Sequence, residues 1–158
     1  MGGWRHLAAG FVDALSSRAL APAEIDQVRA WLRPDESEAY FSQPGFDQRH
    51  GLEAANFVFR QAPDRIDLIR AALLHDVGKR HSGLGPWSRS LASALAKIGG
   101  KPSGRWASYL DHGGLGATEM SAAGAEQLVV EFAREHHGDR PPSIAAEDWD
   151  ILMKADRL

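Results

Sequence analysis

A chain of 158 residues has the size of one domain and can bury a single core without crosslinks. Its 44% apolar and 25% charged residues exclude a disordered or fibrous polymer, and its lack of cysteine excludes disulfides and thiolate metal sites. A formal charge of -3 with no long basic run excludes a dedicated nucleic-acid binder, and no apolar run approaches the roughly 18 residues of a membrane span. Residues 1–20 carry no signal-peptide core, so a cytoplasmic protein is expected. Whether it is a monomer or a dimer stays open, because the apolar stripe Leu7, Phe11 and Leu15 can cover the core or meet a second chain.

Pro22, Pro34, Pro44, Pro63, Pro86, Pro102, Pro141 and Pro142 fall between periodic stretches, and alternating strand patterns are missing. The punctuation predicts helices over 3–18, 23–33, 35–42, 46–61, 64–77, 87–98, 115–123, 124–136 and 146–157, an all-α fold. In the fourth, Phe46, His50, Ala54 and Phe57 share one stripe, which predicts an inward His50. The fifth opens at Asp64 as N-cap, carries Ile66, Ile69, Leu73 and Val77 along one face, and is expected to stop at Gly78. Val129, Phe132 and His136 align in the eighth, and Trp149, Leu152 and Asp156 in the ninth. With no internal repeat, Gly83–Pro86, Gly99–Gly104 and Gly138–Pro142 read as loops rather than linkers.

Ionisable groups thus recur at positions where the apolar pattern predicts burial: His50, the His75-Asp76 pair that ends Ala71-Ala72-Leu73-Leu74, His136 and Asp156. Left unpaired, each such group costs several kcal/mol or changes its protonation state. One divalent cation centre resolves all of them together, since imidazole and carboxylate ligands neutralise the ion while it offsets their desolvation. Singly, each histidine is more often a hydrogen-bonded core residue than a ligand. Their conjunction gives the signal.

Arg49-His50, Leu74-His75-Asp76-Val77-Gly78-Lys79, Asp111-His112, His136-His137 and Ala155-Asp156 together resemble, in order H…HD…H…H…D, the HD-domain superfamily of metal-dependent phosphohydrolases. The resemblance implies a single helical-bundle core over 45–158, with 1–44 as an N-terminal helical extension. It also implies one metal on His50, His75, Asp76 and Asp156. Binuclear branches add two histidines and bridge the ions with the HD aspartate, which implies a second site on Asp76, His112 and His136, with His137 as a substitute. The expected cofactors are therefore two divalent transition metal ions, drawn from Fe, Mn, Zn, Co or Ni. The expected activity is hydrolysis of a small phosphate ester, nucleotide-like in kind, by a metal-bridging hydroxide.

Gly138-Asp139-Arg140-Pro141-Pro142 departs from the glycine-tyrosine-proline signature of the cyclic-di-GMP phosphodiesterase branch, which disfavours that substrate. The pattern is also similar to small bacterial hydrolases of symmetrical dinucleoside tetraphosphates. Diiron oxygenases related to myo-inositol oxygenase share the ligand set, and a non-catalytic metal-binding sensor is a third reading. Beside Asp76 as the catalytic metal-bridging group, Lys79 is the first candidate to neutralise substrate phosphate, with Arg80 and Arg89 on the same expected loop and Arg49 and Arg140 as weaker candidates. Glu119 and Asp139 are expected to orient histidine ligands. Trp31, Trp87 and Trp106 are read as core or groove anchors.

Overall fold

The computed structural model describes residues 19–84, 99 and 103–158; the expected helices over 3–18 and 87–98, with Arg89 and Trp87, lie outside the described residues. Eight α-helices are described: α1 (Pro22–Trp31), α2 (Pro34–Phe41), α3 (Gly45–Gln61), α4 (Ile66–Leu74), α5 (Arg105–Leu110), α6 (His112–Ala122), α7 (Gln127–Glu135) and α8 (Ala146–Asp156). A 3-10 turn, Val77–Ser82, follows α4. No strand occurs among the described residues, and no helix among them is long and apolar enough to cross a membrane.

The starts of α1 and α2 use the same local device. Proline at the first helical position needs no N–H partner, and the glutamate two residues on reaches back to the cap: Glu24 accepts from Ala21 N at 2.7 Å, and Glu36 from Arg33 N at 2.9 Å. These two helices are tied to the rest of the chain by arginine contacts. Arg49 grips Glu24 through two nitrogens at 2.5 and 2.9 Å, Arg33 reaches Glu126 at 2.7 Å, and Arg70 donates to Trp31 O at 2.7 Å.

Helix α4 is the centre of the bundle, contacted by α3, α7 and α8. Its residues Leu68, Ile69, Ala71, Ala72, Leu73 and Leu74 are all buried, each large apolar side chain contributing about 1.5–3 kcal/mol. This wrapped helix carries the His75-Asp76 pair at its end. It is shorter than 64–77. Arg65, not Asp64, precedes its first turn, with Arg65 held by Asp67 and by Asp148 of α8. At the other end the chain leaves the α-helix after Leu74 and tightens, Lys79 N donating to Asp76 O at 2.9 Å.

Gly78 therefore lies inside the 3-10 turn rather than ending a helix. A Cβ there would overlap the carbonyl oxygen of His112 and sit 2.7 Å from Gly116 N, so only glycine lets this turn meet the start of α6. The same close approach explains two misplaced boundaries. The helix expected over 115–123 begins earlier, α6 starting at His112. The short α5 before it was not expected. Gly113 is needed because a Cβ would fall 2.8 Å from Arg134 O on α7.

Candidate metal centre

Three helix ends deliver the central imidazoles. His75 caps the C-terminus of α4, His136 caps that of α7, and His112 opens α6 one residue, Asp111, after the end of α5. The last carbonyls of a helix lack intrahelical donors. Each imidazole folds back onto one three residues earlier: Nδ1 of His75 onto Ala72 O at 2.9 Å, of His112 onto Tyr109 O at 2.6 Å, and of His136 onto Ala133 O at 2.9 Å. A carbonyl only accepts, so Nδ1 donates and Nε2 is the nitrogen each ring turns to the interior, with a lone pair wherever the ring is neutral. These backbone carbonyls do the orienting assigned above to Glu119, which instead holds Arg80 and His81. Asp139 is exposed.

The freed Nε2 atoms converge on Asp76. His112 and His136 lie 3.4 and 3.5 Å from its Oδ1, and His75 lies 3.4 Å from its Oδ2. His136 Nε2 is 3.3 Å and His137 Nε2 3.1 Å from His112 Nε2. On the other side, Asp156 Oδ1 stands 2.9 Å from His75 Nε2 and 3.7 Å from His50 Nε2. Two groups thus share Asp76: His50, His75 and Asp76, joined by Asp156, and Asp76, His112, His136 and His137.

The chemistry of the donors fits a cation. Asp76 Oδ1 and His75 Nε2 are buried atoms without a hydrogen-bond partner, an arrangement that costs about 1–3 kcal/mol per atom or more for charged groups. The His112 and His136 lone pairs face each other, which is repulsive until a positive centre lies between them. His75, Asp76, His112 and His136 are buried; Asp156 and His50 form a more open rim, at 17% and 30% side-chain exposure.

Burial opposes charge on His75, but the Asp76 and Asp156 carboxylates outweigh it and lift its pKa from 6.5 to about 10. Burial also works against charge on Asp76 and Asp156, and the adjoining imidazoles, with Lys79 beside Asp76, overturn it and hold both carboxyls below the ordinary 3.8. His136 shifts downward through burial, seconded by the His75 charge, and His137 falls to about 4 through burial and its neighbours His136 and His112. A raised histidine pKa stabilises the fold fully below the unfolded value of 6.5 and is lost as pH rises through about 10. Protein stripped with a chelator should therefore lose Tm across that interval, and metal-loaded protein should not. A flat profile for the stripped protein would contradict the assignment of His75.

Of the candidate cations, Lys79 is at the centre. It lies on the 3-10 turn rather than on a loop, with Nζ against Asp76 Oδ2, and burial, which disfavours its charge, is outweighed by Asp76 so that its pKa is raised. Arg80 sits on the same turn but forms a two-pronged pair with Glu119. Arg49 pairs with Glu24, and Arg140 donates to Ile144 O at 2.6 Å. Trp31 packs on the core edge against Phe59, ring centroids 5.5 Å apart.

Two contributors escaped the sequence reading. Tyr109 supplies the carbonyl for His112 and stacks on its ring, centroids 5.6 Å apart. Asp47 is buried on α3, one turn before His50, and its charge supports that of Lys79. The buried face of α3 is centred on Asp47, Gly51, Ala55 and Val58 and takes in Ala54 of the expected stripe, while Phe46, His50 and Phe57 lie at its edge. His50 accordingly stands at the margin, half-buried.

A family model described as the HD domain matches residues 48–158. No curated protein and no solved structure matches the chain.

Proposed function

The chain belongs to the HD-domain family, and on that premise we propose that it hydrolyses a small, nucleotide-like phosphate ester with the help of two divalent metal ions. The observation that most supports this is the Asp76 carboxylate, whose oxygens face different imidazoles: Oδ2 faces His75, and Oδ1 faces His112 and His136. His50, His75, Asp76 and Asp156 would hold one ion, and Asp76, His112, His136 and His137 the other. This mixed nitrogen and oxygen set suits Fe, Mn, Zn, Co or Ni. Bound there, such ions lower the pKa of water and neutralise phosphoryl oxygens.

The protein's own contribution is preorganisation. Backbone carbonyls fix the ring orientation of three imidazoles before any ligand arrives, so no reorientation is needed at the moment of reaction. Burial of Asp76 and His75 keeps bulk solvent from screening the site. Lys79 brings an ammonium to the same carboxylate and is the cation placed to meet substrate charge.

Lys79→Ala should lower turnover of phosphate esters on the order of a hundredfold without loss of metal. Turnover equal to wild type would remove Lys79 from substrate binding. The reading as a whole is tested by elemental analysis joined to a phosphoester screen with and without dioxygen. Two metals per chain with dioxygen-independent release of phosphate is the expected result; dioxygen consumption without phosphate release would replace hydrolysis by oxygenase chemistry.

A further inference from the structure

The two halves of the site offer different donors around their shared carboxylate. On one side stand three imidazoles, His112, His136 and His137, with only Asp76 Oδ1 for oxygen. On the other stand two imidazoles and two carboxylates, His50, His75, Asp76 and Asp156. Consecutive residues of a regular helix point about 100° apart, so His136 and His137 would normally diverge. Here α7 ends at Glu135 and Gly138 N closes a turn onto Glu135 O at 2.7 Å, which brings both rings to His112, His136 and His137 lying 4.0 Å apart between centroids.

The halves also differ in what must be displaced. Asp76 Oδ1, on the three-imidazole side, has no hydrogen-bond partner. Asp76 Oδ2, on the other side, is held by Lys79 Nζ, so an ion arriving between it and His75 Nε2, itself without a partner, must first part that pair. An incoming ion therefore meets an open acceptor oxygen on one side and the Asp76–Lys79 ion pair on the other. We infer that the two positions load unequally: the His112/His136/His137 position fills first and selects nitrogen-preferring ions, and the His50/His75/Asp156 position fills second, displacing Lys79 from Asp76. His137 is in this account a third imidazole ligand and not a spectator at the mouth. Imidazole-rich sites favour Co, Ni and Zn, whereas carboxylate-rich sites accept Mn. Release of Lys79 is then coupled to the second, more exchangeable ion, which makes availability of that ion a control on substrate binding. The inference rests on the two-metal reading above.

Titration of metal-stripped protein with Co²⁺, followed by visible absorption and calorimetry, tests it without recourse to activity. Wild type should bind in two resolved steps differing at least about tenfold. His137→Ala should weaken the first step by about 10–100-fold, the scale of perturbed metal-site partners, and change its absorption bands. His50→Ala should remove the second step alone, and Lys79→Ala should strengthen the second step alone. Two equal steps in wild type, or a first step unaltered by His137→Ala, would overturn unequal loading while leaving the metal centre itself in place. No Co²⁺ binding by wild type would overturn both.

Discussion

Asp76→Asn should reduce bound metal from two ions to at most one and lower turnover by about a thousandfold or more, the several kcal/mol that metal-assisted charge stabilisation contributes. Asparagine keeps the size of the side chain but turns one oxygen into an NH2 group, which repels a cation on whichever side it faces. Oδ1 and Oδ2 each serve a different imidazole cluster, so neither orientation of the amide serves both. The substitution also leaves Lys79 and the charged His75 short of a counter-ion, so the stripped variant should melt below the stripped wild type. Metal content, turnover and Tm read these three effects separately. A variant that keeps two metals and full turnover would remove Asp76 from the centre.

The second large effect is expected at a residue with no side chain. Gly78→Ala places a methyl group into the carbonyl of His112 and 2.7 Å from Gly116 N, both backbone atoms that cannot rotate away. Overpacking of this kind costs about 3 kcal/mol or more, a drop in Tm of roughly 6–12 °C for a chain of this size. Relief of the clash moves the start of α6 away from the 3-10 turn, and His112 moves with it. Metal should therefore be lost preferentially from the side of the centre that depends on His112. Unaltered Tm and metal content would show that the turn and α6 are free to separate without consequence.

The physical reason for that sensitivity also marks where the sequence stops being readable. In the order of the chain, Gly78 reads as a helix stop, and nothing local gives Gly113 or Gly116 a role. Gly78 meets His112 and Gly116, and Gly113 meets Arg134, and local patterning carries no record of which backbone a missing Cβ makes room for. The same holds for Arg80 and Glu119, whose pairing joins the 3-10 turn to α6. It holds for Lys79, which belongs to Asp76 rather than to an open loop.

What the sequence by itself determined is the all-helical class, the bounds of α1, α2, α3 and α8 to within a residue or two, and the set of ionisable residues at positions of predicted burial. Those follow from proline placement and from a 3.6-residue apolar period, which are local and need no knowledge of neighbours. The resemblance carried by His75-Asp76 and its companions added the family. Only the tertiary structure decided that three imidazoles are fixed by carbonyls at helix ends, that the two oxygens of Asp76 face different imidazoles, and that His136 and His137 face the same nitrogen. Side-chain direction at a helix terminus depends on where the chain leaves the helix, and that point is set by packing between α4, α6 and α7 rather than by any residue's own preference.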